Sequence, residues 1–153
     1  MAKKNLNKPK AIRNKRASFD YDLGDSIVAG IVLSGAETKA LRLGHGHLRG
    51  AYVTVRNGEL WLFNATITGF NGVKLEETEQ TRSRKLLLKK KEIDQLIADK
   101  QQGKSIIPIS LLTQGRFIKV RISTGTGKKN YDKRETIKRR DQDRAAQIEL
   151  KNR

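Results

Sequence analysis

The chain has 153 residues, enough for one domain with extensions but not for two full domains. Its hydrophobic fraction of 36% falls below the roughly 45–50% usual for a globular chain, so part of it must lie outside any core. A net charge of +17 and the lack of cysteine exclude disulfides and cysteine-ligated zinc; they call for a polyanionic partner, because each Lys or Arg that neutralises a phosphate releases condensed counterions.

The charge divides the chain into three. Residues 1–16 carry seven Lys/Arg and no acid, residues 17–123 a net +5, and residues 124–153 another +5. These spans, 1–16, 17–123 and 124–153, predict a basic N-terminal arm, a folded body and a basic C-terminal tail. The arm reads either as a solubility extension or as an RNA-touching arm. Its start, "MAKKNLNKPK", has no apolar h-region and predicts no secretory signal. There is no hydrophobic run near 18 residues and no amphipathic helix with a strong apolar face, which argues against a membrane partner. A cytoplasmic location is the default expectation.

"SIVAGIVL" (Ser26–Leu33) is β-branched and aliphatic and predicts a buried strand. "GAETKALRLG" predicts a helix with Ala36, Ala40 and Leu43 on one face, Leu41 nearby, and Gly44 as its stop. "AYVTVRNGELWLFNATI" predicts a hairpin on the Asn57-Gly58 type I′ turn. Tyr52, Val53 and Val55 flank that turn on one side and Leu60, Trp61, Leu62 and Phe63 on the other. Phe70–Arg84 predicts a loop, acidic and then basic, long enough to be functional or mobile. "RKLLLKKKEIDQLIADKQQGK" predicts a helix with Leu86, Ile93, Leu96 and Ile97 inward and Gly103 at its end. "SIIPISLLTQGRFIKVRIS" predicts a second hairpin turning at Gln114-Gly115, with Phe117, Val120 and Ile122 as apolar positions and Pro108 at an edge or bulge. Four or five strands, two short helices and no βαβ unit predict an all-β fold, an OB-fold-like antiparallel barrel ahead of an open sandwich. Such barrels often bind nucleic acid.

No converging set of acid, base, nucleophile or metal groups predicts an enzyme, and no cofactor is implied. His45 and His47 are the only histidines and read as surface or RNA-facing loop residues rather than metal ligands. "STGTGKKN" fails as a phosphate-binding P-loop, because Ile122 stands where its first glycine belongs and Lys129 where Ser or Thr must follow the lysine. Gly125 and Gly127 read instead as a flexible joint. From the residues alone, Glu37 beside Lys39 and Arg42 is a solvated helix face, and Trp61 and Tyr52 are core or half-buried strand residues ahead of the alternative that one of them stacks on a base. The run "RSRKLLLKKK", with Arg82, Arg84, Lys85, Lys89, Lys90 and Lys91 around three leucines, predicts a phosphate-binding patch beside an apolar contact.

Five stretches carry a resemblance in the right order: "NKRASFDY", "GIVLSGAETKALR", "LRGAYVTVRNGELWLFNATI", "RSRKLLLKKKEI" and "GKKNYDKRETIKRR". Together they resemble the SmpB family of SsrA-binding proteins, the partners of transfer-messenger RNA (tmRNA) in bacterial trans-translation. The resemblance implies a non-enzymatic OB-like barrel that binds the tRNA-like domain of tmRNA as a monomer and delivers it to a stalled 70S ribosome. It implies RNA contacts at Asn14, Glu37 and Leu87, with Lys39 and Arg42 in the same block. It also implies a tail that is unstructured when free and becomes a helix in the vacant message channel beside 16S rRNA. Gly127, Lys128, Lys129, Tyr131, Asp132, Lys133, Arg134 and Ile137 match the tail positions used at the decoding centre and message path. This chain departs from the family pattern at Ala40, usually Ser, at "HGHLRGAYV" for "RANLKDSYV" and at "TITGF" for "HISPY".

The tail's composition fits that expectation. From Asp132 onward it has no Gly or Pro, a favourable Glu135–Arg139 pair and a thin apolar stripe of Ile137, Ala145 and Ile148. A helix of that kind is marginal in water and folds where its cations meet RNA, at a cost in affinity. The competing expectation from charge and fold is a ribosomal structural protein or a general RNA-binding chaperone.

Overall fold

Two left-handed residues, Asn57 and Gly58 with φ of 52° and 72°, make the tight turn that the sequence predicts, and the fold is built outward from their hairpin. The computed structural model describes residues 11–69, 75–128 and 130–151; Lys129 and the start of the Phe70–Arg84 loop lie outside them. The strands are β1 (Ile12–Arg13), β2 (Tyr21–Ile31), β3 (Gly46–His47), β4 (Tyr52–Arg56), β5 (Glu59–Phe63), β6 (Thr66–Ile67), β7 (Arg84–Leu87), β8 (Ser105–Leu112) and β9 (Lys119–Gly127). The helices are α1 (Ala17–Asp20), α2 (Gly35–Arg42), α3 (Glu77–Gln80), α4 (Lys90–Gln101) and α5 (Asn130–Lys151).

Seven strands form one antiparallel sheet in the order β1-β8-β4-β5-β7-β2-β9, and β9 also pairs with β8, so the sheet's far end returns to its beginning. β1, from the last residues of the basic arm, joins β8 through Ile12↔Leu111 and Arg13↔Ser110. β3 and β6 form a separate small ladder. The interior is aliphatic, with Ala29, Leu41, Leu60, Leu62, Val120 and Ile122 among the fully buried residues. Along β5 burial alternates, with Leu60 and Leu62 inward and Glu59, Trp61 and Phe63 outward, as a strand with one solvated face must.

Both sequence-predicted helices form. Ser34 caps α2: its hydroxyl accepts from the Glu37 N–H (3.2 Å), while the Glu37 carboxylate accepts from the Ser34 N–H (3.1 Å), the reciprocal box of a well-capped N-terminus. Gly44, with φ of 85°, ends it as expected. Leu43 does not share the buried face but is half exposed, and Glu37 is buried in its place beside Ala40 and Leu41.

The second helix begins later than its sequence predicts. Arg84–Leu87 is a strand, with Arg84 and Leu86 inward and Lys85 and Leu87 outward, and α4 starts only at Lys90. Three consecutive leucines hide a period of two inside an apparent period of 3.6. The expected second hairpin is also looser than a two-residue turn at Gln114-Gly115. β8 ends at Leu112 and β9 begins at Lys119; Ile118 is buried, whereas Phe117 is 69% exposed. The β8–β9 register shifts at Pro108, the irregularity expected of a proline within a ladder. α5 follows β9, and Ile137, Ile148 and Leu150 on it remain exposed.

Candidate nucleic-acid interface

The outer face of β2, β7 and β9 carries an apolar strip inside a cationic rim. Gly30 on β2 pairs with Leu87 on one side and Lys119 on the other. A methyl group on Gly30 would meet the Leu87 Cβ at 3.2 Å, so the glycine lets Leu87 lie close over β2. Val28, Val32 and Leu87 are 42%, 45% and 52% exposed. Lys119 and Arg121 on β9 are solvent-exposed, as are Lys39 on α2 and Lys89 just before α4. Val28, Gly30, Leu87, Leu88, Lys89 and Lys119 line a shared groove, with Glu92 as its one carboxylate. Lysines around an exposed leucine can hold phosphates while the apolar floor meets a sugar or base.

Behind this face lies a buried ionic knot. Glu37 and Arg84 are 1% and 0% exposed, and the Arg84 Nε and Arg82 guanidinium both donate to the Glu37 carboxylate. Arg84 has further acceptors at the carbonyls of Ala65 (2.7 Å), Arg82 (3.1 Å), Glu79 (3.0 Å) and Gln80 (3.1 Å). It thereby ties α2, α3 and the end of the β5–β6 connection to β7. Burial raises the Glu37 pKa, but hydrogen bonds from Arg82, Arg84 and the Ser34 backbone outweigh it and hold the carboxyl below its ordinary value. Burial lowers the Arg84 pKa and Glu37 partly restores it.

The structure places the sequence-predicted residues in three groups. Lys39, Lys85 and Leu87 reach the surface; Lys85 does so while pairing with Glu59 at 2.9 Å. Glu37 and Arg84 do not, which corrects both the solvated-face reading of Glu37 and the placement of Arg84 in a phosphate patch. Arg82 is partly exposed but engaged with Glu37, and Arg42 donates to the carbonyls of Thr113 (3.2 Å), Gly115 (2.9 Å) and Arg116 (2.9 Å). Arg42 therefore braces the β8–β9 loop. Asn14 donates to the Pro108 carbonyl at 3.0 Å and borders a different cleft, with Arg16, Tyr21, Arg49 and Tyr52.

Of the tail positions, Gly127 ends β9, and Lys128 donates its backbone N–H to the Asp20 carbonyl at 2.8 Å. Lys133 reaches the Asp20 carboxylate at 3.4 Å, and Arg140 lies over the Phe19 ring, 5.7 Å from its centroid. Burial raises the Asp20 pKa, but Arg16 and Lys133 outweigh it and hold the carboxyl low. Tyr131, Asp132, Arg134 and Ile137 belong to α5, where Arg134 and Ile137 are exposed. Half-exposed ion pairs contribute little, so these contacts hold α5 loosely.

Sequence reasoning missed Lys119 and Arg121. Their signal was present in "KVRIS", whose alternation puts both opposite the buried Val120 and Ile122. Lys119→Ala should weaken RNA binding by a similar factor for all sequences and lower the salt slope by about one, as isotherms over a range of salt would report. An unchanged slope would remove Lys119 from the phosphate contacts.

His45 is half-buried and His47 exposed, and among the described residues no three of His, Cys, Asp and Glu gather as a metal site. No helix among them is long and apolar enough to cross a membrane.

Residues 11–152 match the family model described as SmpB protein. An SsrA-binding protein of Oenococcus oeni is 45% identical over 99% of this chain and 99% of its own. One from Shouchella clausii is 43% identical over 92% and 91%, and one from Acholeplasma laidlawii 44% over 91% and 94%. A solved structure described as "tmRNA-SmpB: a journey to the center of the bacterial ribosome" superposes with a TM-score of 0.67 at 30% identity, covering 84% of this chain and 95% of that one.

Proposed function

This chain belongs to the SmpB family, and from that premise we propose that it binds tmRNA and accompanies it to the ribosome. The body, residues 17–123, is an OB-like barrel that takes the tRNA-like domain of tmRNA; the return of β9 onto β8 supports the barrel reading. Its role is recognition rather than catalysis, carried out in the cytoplasm by a monomer on the RNA.

The observation that carries this reading is the exposed Leu87 strip within its lysine and arginine rim. Lys39, Lys85, Lys89, Lys119 and Arg121 meet phosphates, and Leu87 meets a sugar or base. Asn14 adds a contact from the neighbouring cleft. Glu37, Arg42, Arg82 and Arg84 act by holding α2, β7 and the β8–β9 loop in place. This explains how a carboxylate can matter to RNA binding without facing an anion.

The tail, residues 124–153, enters the empty message channel of a stalled ribosome. Gly127, Lys128, Lys129, Tyr131, Asp132, Lys133, Arg134 and Ile137 are the positions that serve the decoding centre and message path. Ile137, Ile148 and Leu150 on the tail's helix are exposed, so the helix gains stability where rRNA surrounds it. Occupation by message excludes it, which makes the tail a sensor of vacancy.

Sequencing of RNA that co-purifies with the intact chain from cells tests the assignment. Strong enrichment of tmRNA is expected. Recovery of ribosomal or messenger RNA in proportion to abundance would instead favour a structural ribosomal protein or a general chaperone.

A further inference from the structure

Three of the chain's eight aromatic residues lie where the core does not use them. Tyr52, Trp61 and Phe63 all project from the outer face of the β4–β5 hairpin, opposite the buried Val53, Leu60 and Leu62. Tyr52 and Phe63 are cross-strand partners. Their rings stack at 5.5 Å with an interplanar angle of 8°. Trp61 is two residues from Phe63 on the same face and pairs across the sheet with Lys85. The Arg56 guanidinium stands 5.4 Å from the Phe63 ring centroid. Tyr52 is 43% exposed, and none of the three rings joins the hydrophobic cluster.

An exposed aromatic face is costly on a soluble surface unless something covers it. Tyr52 and Arg56 already contact the Phe63 ring, while Tyr52 is exposed and Trp61 partly so. Aromatic rings beside guanidinium groups form a platform for unpaired bases, because every base has a π-face and the arginine supplies charge at its edge. A protein of net charge +17 favours a polyanion over a second, equally cationic copy.

We propose that the outer face of the β4–β5 hairpin, built by Tyr52, Trp61 and Phe63 with Arg56, stacks an unpaired nucleobase of the bound RNA. The inference rests on the RNA-binding reading above and adds a second mode of contact to it. The Leu87 rim meets phosphates and is salt-sensitive, whereas the hairpin face meets a base and is not.

The chain reports on this face directly, because Trp61 is its only tryptophan. The intact protein is titrated with the end-labelled tRNA-like domain of tmRNA, following label anisotropy and Trp61 emission together. Emission is expected to be quenched with the same midpoint as the anisotropy. Tyr52→Ala, whose melting temperature is checked first, is expected to bind on the order of tenfold more weakly with an unchanged salt slope. Full anisotropy change with unaltered Trp61 emission would overturn the inference and leave the face to a protein partner. Emission that varies with protein concentration without RNA would overturn it in favour of a second copy. No anisotropy change would overturn the RNA-binding reading itself, and this inference with it.

Discussion

Arg84→Ala is expected to destabilise the chain by on the order of 3–5 kcal/mol, because it leaves a buried carboxylate without its main partner. The loss goes beyond one ion pair. Arg84 also holds the carbonyls of Ala65, Glu79 and Gln80, and without it these acceptors lie beside a cavity. Glu37→Ala should cost a similar amount for the converse reason, and the double variant less than the sum. Urea unfolding of the three variants measures all of this. A loss under about 1 kcal/mol for Arg84→Ala, the level of an exposed pair, would contradict the buried knot.

The same knot makes a signed prediction about pH. The folded Glu37 pKa lies below the ordinary 4.5. Its contribution is therefore fully present above that value and is lost as pH falls through the lower, folded pKa. Glu37→Gln should flatten this acid-side loss. RNA binding separates positioning from contact. Because Glu37 and Arg84 are buried, their variants should regain RNA affinity under conditions that restore the fold, such as added osmolyte. Folded variants that still fail to bind would mean that Glu37 touches RNA.

The second large effect concerns the tail. A chain ending at residue 129 should keep nearly all of its affinity for the tRNA-like domain, yet lose tagging of stalled nascent chains. Among the described residues, α5 meets the body through Lys133–Asp20 and Arg140–Phe19, both on α1 rather than in the core. Tyr131→Ala should reproduce the tagging defect in part, roughly tenfold if its ring stacks on a base. Parallel loss of RNA affinity and tagging would refute the division of labour between body and tail. Circular dichroism supplies a further check. Helix at 130–151 should be salt-sensitive in the free protein, and a fully formed, salt-insensitive helix would deprive the tail of its sensing role.

Much of this architecture is legible in the residues. Asn57-Gly58 announces its turn, Gly44 announces a helix end, and Pro108 announces an irregular strand. Each is a local device whose cause lies within four residues. The failures are of another kind. "RSRKLLLKKK" reads as a phosphate-binding patch, and nothing local distinguishes Arg84 from its neighbours. Its burial depends on acceptors at Ala65, Glu79, Gln80 and Glu37, the last of them 47 residues away. Phe117 appears as core by composition, but the bracing of its loop by Arg42 leaves the ring outside. The aromatic face on β4–β5 was hidden differently: alternation along "ELWLF" predicts that Trp61 and Phe63 share a side, but not which side is wet.

A body that recognises a shape rather than a charge holds its RNA against competitors of equal charge. Binding of the intact protein to the tRNA-like domain of tmRNA should be measured at physiological salt against a large excess of unrelated structured RNA. Most of the complex is expected to survive; displacement in proportion to competitor concentration would reduce the protein to a nonspecific polycation.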